Sequence, residues 1–332
     1  MADGGEGTAA AIAAATPGAR WRDAGEVRGP DGRPVPGRWL ELPDGTALVE
    51  LAQVSGLPLM AEPDPLGAST AGLGMLLRRV VNTAAPARIV VAVGGSASTD
   101  GGAGALAELG LAIRTDEGAP VRAGGAGLGV AAAVDSRGLV VPPAAGVTVL
   151  VDVTAPLLGP SGAAAVFAPQ KGAGPGQVDV LETALKRWAA LLGGDPGEPG
   201  AGAAGGTAYG LAAGWGARLT AGASWVAERA GLTAHIGWAD VVLTGEGRVD
   251  ATSRTGKVVG EILRRASGKQ RGVVAGGIEA GVLAEGEIWG VSLADLAGGT
   301  DASLADPLRW LHVAGERAAL ELAGAPIRGA AP

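Results

Sequence analysis

The sequence predicts an α/β protein built on a parallel sheet with helices on both faces. Two patterns carry that expectation, and a third locates its working end. From residue 70 onward, buried-strand runs alternate with helical runs, the order that builds βαβ units. At 332 residues the chain is long for one core and comfortable for two domains. Three strand runs end in glycine, at Gly94, Gly245 and Gly276. In open parallel sheets, ligands sit at the carboxyl ends of the strands.

The elements follow in order. Asp3-Gly4-Gly5-Glu6-Gly7-Thr8 leads into a helix over 9–15, its small and acidic residues suiting a helix start. Residues 16–62 are dense in turns such as Gly29-Pro30-Asp31-Gly32 and Pro43-Asp44-Gly45, flanked by short apolar runs at 38–42 and 46–51. That pattern predicts hairpins. A helix over 70–83 is followed by a buried strand over 88–93, a glycine-rich loop over 94–104 and a helix over 105–109. Strands and turns return over 111–155, with a strand at 146–153. An apolar run at 163–168 leads to Pro169-Gln170-Lys171-Gly172, and helical runs are predicted at 177–193 and 210–219, the last after a glycine-rich stretch at 194–207. A strand over 238–243 runs into Thr244-Gly245-Glu246-Gly247-Arg248-Val249-Asp250, with a helix over 258–266. Strands at 272–275 and 287–293 and a helix over 303–323 complete the pattern.

Composition narrows the chemistry. Hydrophobic residues at 47% and charged residues at 18% support a packed core rather than a disordered chain. A net charge of −7, with no face of clustered Lys and Arg, argues against nucleic acid as a partner. No run of 18 apolar residues predicts a membrane span, and no basic stretch precedes the apolar start as in a signal peptide. A cytoplasmic location is the resulting expectation. The absence of cysteine excludes disulfides and thiolate catalysis, and two histidines leave little for a His-based triad. Glycine, at 60 residues, is too abundant to be informative everywhere, so only junction glycines are read for function. The eight tryptophans read as core and helix-packing residues.

Loops at strand ends offer N–H groups at helix starts, which bind phosphate. None of the three here matches a Walker loop, and none pairs a GxGxxG with an acidic residue downstream, which disfavours a dinucleotide-dependent oxidoreductase. Asp100, among small residues, reads either as a reachable carboxylate for Mg2+ or a hydroxyl proton, or as the cap of the next helix. Arg248 offers a bidentate fork for phosphate or carboxylate, and Asp250 a metal ligand or base; the bland alternative is a surface pair. Lys257 adds a cation at a helix start. Lys171 is an anion ligand or a snorkelling surface residue, and Asp152 is a strand-end carboxylate or an Asx turn.

Taken together, MADGGEGT, GGSASTDGG, VDVTAPLLG, GAAAVFAPQKGA, GAGAAGG and LTGEGRVD followed by TGK resemble, in the same order, the signatures of the bacterial glycerate kinase family. The resemblance implies ATP-dependent, Mg2+-assisted phosphorylation of D-glycerate, at the 2-position, by a monomer or homodimer. It implies two α/β domains with the active site between them. One is Rossmann-like, a parallel three-layer sheet assigned to 1–15, 63–110 and 232–332; the other is smaller with a mixed sheet, assigned to 16–62 and 111–231. It further implies nucleotide contacts at Gly94, Gly95, Ser96, Gly101, Gly245, Gly247 and Lys257. Asp3, Glu6, Asp152 and Lys171 are the implied glycerate contacts, and Asp100, Arg248 and Asp250 the catalytic groups, the two aspartates also as metal ligands.

The chain departs from the family pattern at Ser98-Thr99, where GGSATNDGG is usual, and at Ala155, where Asn usually follows DVT. The family pattern also places a strand, an Asp-Ser-Phe-Lys loop, a helix and a second strand ahead of the ADGGEG motif. Their absence before Met1 raises a competing expectation, a shortened, non-catalytic relic that binds ligand without turning it over.

Overall fold

The computed structural model describes residues 2–254, 258–283 and 286–322. The chain divides into two compact units, residues 2–226 and the residues from 227 onward.

The first unit opens with α1 (Thr8–Ala15), followed by β1 (Arg20–Arg28), β2 (Pro34–Glu41) and β3 (Thr46–Glu50). These three strands pair antiparallel, as the turn-rich sequence predicts. The second turn closes through Leu42 N–H donating to the Thr46 carbonyl at 2.9 Å. After the one-turn α2 (Ala52–Ser55) come α3 (Ala71–Ala84), β4 (Arg88–Ala92) and α4 (Ala103–Leu109). A small antiparallel pair, β5 (Ala112–Arg114) with β6 (Ala133–Asp135), precedes β7 (Val147–Val151). Then follow α5 (Ala163–Phe167), α6 (Pro175–Leu192), α7 (Ala203–Trp215) and β8 (Arg218–Ala221). The strands form one six-stranded sheet, β1-β2-β3-β4-β7-β8, in which β3, β4, β7 and β8 run parallel.

Alternation along the strands explains why the sheet is covered twice. Ala47, Val49, Ile89, Val91, Val149 and Val151 point into the large core, and Leu48, Val90, Ala92 and Leu150 into the smaller core on the opposite face. The large core receives α3 through Leu73, Leu76, Leu77 and Val80, the spacing of one helical face. It receives α6 through Leu181, Ala184, Leu185 and Trp188. The opposite face takes Ala9 and Ile12 of α1.

α8 (Gly222–Arg229) crosses the division between the units. The second unit continues with α9 (Leu232–Trp238), β9 (Val241–Thr244), β10 (Arg248–Val249), α10 (Val258–Arg265), β11 (Gln270–Ala275) and β12 (Gly277–Ile278). It ends with β13 (Trp289–Ser292), α11 (Leu293–Ala297), α12 (Thr300–Ala305) and α13 (Pro307–Leu322). β13, β11 and β9 form a parallel sheet in that order, and β10 pairs with β12.

The α/β class is therefore as expected, with several local differences. Residues 63–110 were grouped with 232–332, yet β4 lies between β3 and β7, so that stretch packs within residues 2–226. The helix read over 210–219 stops at Gly216, whose φ of 68° ends it, and β8 begins two residues later. The helix read over 303–323 is broken ahead of Pro307, which starts a new helix at its first position. Trp238 ends α9 instead of starting a strand, and it is 91% exposed where a core residue was expected.

Candidate active site

The parallel strands β3, β4, β7 and β8 all end at one edge of the first unit, where the 3–7 and 94–104 loops lie. The 3–7 loop closes onto that edge. Gly94 N–H donates to the Gly4 carbonyl at 3.4 Å. A side chain at Gly94 would lie 2.5 Å from the Gly5 Cα, so the residue has to be glycine for the two loops to meet. Within the loop, the Asp3 carboxylate accepts from Gly5 N–H at 3.4 Å and is half-buried, while Glu6 is exposed. Thr8 accepts from Gly4 N–H through its hydroxyl at 3.2 Å. Asp152 follows β7 directly and is half-buried.

Lys171 reaches the glycine-rich loop that follows β4. Sequence reading left it between an anion ligand and a surface residue, and the structure buries it at 3% exposure. Its ammonium donates to Ser96 Oγ at 2.8 Å and to the Ser98 carbonyl. Burial pushes the amine down to about 7, against the opposing pull of the Asp100 charge. A lysine with such a value is half-charged near neutrality.

Asp100 is not reachable from solvent: its exposure is 0%. Its carboxylate accepts from Thr70 N–H at 2.9 Å, Thr70 Oγ1 at 2.8 Å, Gly102 N–H at 3.2 Å and Gly104 N–H at 3.2 Å. Those donors come from the starts of α3 and α4, so the capping alternative describes it well. A carboxylate saturated by four donors has no site left for Mg2+ or for a substrate proton. It acts on the cluster through its charge beside Lys171.

Gly101 is likewise committed. Its N–H donates to Gly205 O at 3.0 Å, and its carbonyl accepts from the Trp188 indole at 3.0 Å. The GAGAAGG stretch supplies that partner from an unusual backbone, in which Ala204, Gly205 and Gly206 are all left-handed. A side chain at Gly205 would sit 2.1 Å from the Ser98 carbonyl. Ser98 and Thr99, packed beneath, are fully buried, and their hydroxyls have no hydrogen-bond partner. Gly95, with φ of 77°, and Ser96 instead line up with the 55–57 segment: Leu57 N–H donates to Gly95 O at 3.0 Å, and Ser96 bridges Gly56.

In the second unit, the 245–250 loop follows β9 and interlocks with the end of β11. Gly276 N–H donates to Glu246 O at 3.2 Å and Gly277 N–H to Gly247 O at 3.0 Å. Arg248, exposed on β10, lines a cavity of about 320 Å3 with Gly247, Gly276, Gly277, Thr300 and Ser303. A larger open concavity of about 600 Å3 adjoins Gly245, Glu246 and Gly247, walled by Leu243, Ile262 and Leu293. Asp250 donates its N–H to Ser253 Oγ at 3.1 Å. Lys257 lies outside the described residues.

Two carboxylates were missed as site residues. Glu50, at the end of β3, is 4% exposed and accepts from Ala9 N–H at 2.8 Å, fixing the start of α1 against the sheet. Its signal was an acid closing an apolar strand run. Glu246, inside the quoted TGEG motif, has one carboxylate oxygen buried without a partner.

The glycerate kinase family model matches residues 1–322. The chain belongs to the glycerate kinase family. It is 40% identical over 272 residues to the glycerate 2-kinase of Escherichia coli (strain K12), covering 78% of this chain and 69% of that one. The glycerate kinase of Bacillus subtilis (strain 168) is 37% identical over 266 residues, covering 77% and 69%. A crystal structure bearing the name glycerate kinase 2, from Salmonella typhimurium LT2, superposes with a TM-score of 0.72 at 36% identity, covering 97% of this chain and 88% of that one. The resemblance read from the ordered motifs is therefore the relationship that whole-chain comparison finds, and this glycerate kinase family member is an α/β enzyme. Among the described residues no helix is long and apolar enough to cross a membrane.

Proposed function

We propose that this glycerate kinase family member transfers the γ-phosphoryl group of ATP to D-glycerate, giving 2-phosphoglycerate. The observation that carries the reading is Lys171, a buried amine fixed by Ser96 and the Ser98 carbonyl inside the GGSASTDGG loop. In its ammonium form two of its three N–H bonds have protein acceptors, which leaves one for an anion, and the anion's own charge favours that form. Glycerate is assigned to this cluster, with its carboxylate toward Lys171 and with Asp3 and Asp152 as acceptors for its hydroxyls. The name of the Escherichia coli relative supports the 2-position.

The nucleotide is assigned to the second unit. Its apolar concavity suits an adenine ring, and the adjoining cavity under Arg248, with Thr300 and Ser303, suits phosphates. Phosphoryl transfer asks for position and charge neutralisation more than for covalent chemistry. Arg248 supplies a fixed cation for charge on the transferred group. Mg2+ takes few protein ligands and several phosphate oxygens. Glu246, with its unpartnered buried oxygen, fits that demand together with Asp250 on the same loop, whereas Asp100 does not. When bound, the ion neutralises charge on the phosphates.

A coupled ATP-consumption assay with D-glycerate and Mg2+, with the product read by phosphorus NMR, tests the reading. Arg248→Ala should raise KM for ATP, and Lys171→Met should abolish turnover. Full activity in both variants, or a phosphate on the 3-oxygen, overturns it. Calorimetric binding of glycerate without turnover would favour the relic reading.

A further inference from the structure

A second concavity lies away from the loops assigned to glycerate. It measures about 360 Å3 and sits between α4, β5 and the 120–124 loop. Leu111, Ile113 and Leu128, all buried, form its apolar floor. Its charged wall is Arg28, Arg114, Arg122 and Glu108, three guanidiniums against one carboxylate, in a chain whose net charge is −7.

Several exposed arginines of the chain are matched with carboxylates, as in Arg33 with Asp31, Arg137 with Asp135 and Arg317 with Glu321. Here Glu108 already serves Arg28, at 2.5 Å. Arg114 has a neutral partner, the Gly118 carbonyl at 2.9 Å, and its acidic neighbour Asp135 is taken by Arg137. Arg122 has no ion pair among the described residues. Two guanidiniums without a carboxylate of their own thus line one half-open hollow with an apolar floor. Concave, mostly apolar sites of this size with a few convergent polar groups are the usual form of small-ligand sites.

We propose that this cavity binds a small organic dianion, its anionic groups on Arg114 and Arg122 and its carbon body on Leu111, Ile113 and Leu128. A dicarboxylate and a phosphomonoester share that chemistry. None of Asp3, Ser96, Ser98, Asp152 or Lys171 lines the cavity, so the site is separate from the loops assigned to glycerate. Its wall does include Gly104, itself a donor to Asp100, and Ser69 and Ala71, which flank the donor Thr70. Occupancy therefore braces the segment whose charge reaches Lys171.

Calorimetric titration of the full chain with succinate, and separately with phenyl phosphate, tests the proposal. One saturable site is expected for at least one probe, and which probe binds identifies the source. Binding should persist in saturating D-glycerate and in Lys171→Met. It should weaken about tenfold in Arg114→Gln and in Arg122→Gln, the loss of one charge-assisted bond each. Ala123→Glu, which places a carboxylate in the wall, should abolish it while thermal midpoints stay unchanged. No saturation with either probe up to about 10 mM, displacement by glycerate, or indifference to all three cavity variants overturns the proposal.

Discussion

Replacing Lys171 by Met should make the protein inactive while removing a pH-dependent cost of folding. The amine stands near 10.5 when exposed and is pushed down to about 7 by burial in the native state. Between those values the unfolded chain holds the proton and the folded chain does not, so native stability rises with pH across that window. Below pH 7 both states hold it, and the full penalty of a buried ammonium is present. The slope approaches about 1.4 kcal/mol per pH unit, which gives about 2 kcal/mol between pH 7 and pH 9. Met fills the space without the charge, so the variant lacks this segment of the curve. Loss of the bonds to Ser96 and Ser98 offsets the gain by an amount that does not change with pH. Urea unfolding of both proteins from pH 6 to pH 9, followed by tryptophan fluorescence, measures the difference. Trp188 is a suitable reporter, because its indole bonds Gly101 in the same loop. The wild type should gain on the variant as pH rises. A stability difference that stays constant from pH 6 to pH 9 refutes the account of Lys171.

Three further outcomes follow from the same region. Asp100→Ala strands three buried N–H donors and leaves Lys171 without its nearby charge, and should lower the free energy of unfolding by about 3–5 kcal/mol in urea titrations. Ala204→Gly should raise stability by about 0.5–1 kcal/mol, since a left-handed alanine carries a steric cost that glycine avoids; thermal melts would detect it. Gly94→Val should separate the 3–7 loop from the end of β4, and KM for glycerate should rise more than tenfold in steady-state assays while the unfolding midpoint moves little.

Much of the architecture was legible because it follows from local rules. Turn chemistry at 29–32 and 43–45 identified the hairpins, and the 88–93 run identified β4. The partner of β4 was not legible, since a strand buried on both faces looks the same in either sheet. The site was legible as a set of motifs but not as a set of roles. Asp100 and Lys171 carry opposite lessons: of the two readings open for each, the acid among glycines takes the helix-capping one, sealed by α3 and α4, while the lysine is buried and not a surface residue. Both outcomes depend on segments 30 or more residues away, Thr70 for Asp100 and Ser96 for Lys171. The glycines were legible only as junctions: Gly101, an implied nucleotide contact, and Gly276, a strand-end glycine, both spend their N–H groups on neighbouring loops.

The depressed pKa of Lys171 makes it useful as a chemical reporter. Lysine occurs only four times in the chain, and an amine that is largely free base just above neutrality is the most nucleophilic of its kind. Only its burial keeps it from acylating reagents. Slow modification at this one position, resolved by mass spectrometry, would therefore count the moments when the loops around Ser96 and Ser98 part, much as amide exchange counts local opening. If glycerate seats against this amine, saturating substrate should silence that signal.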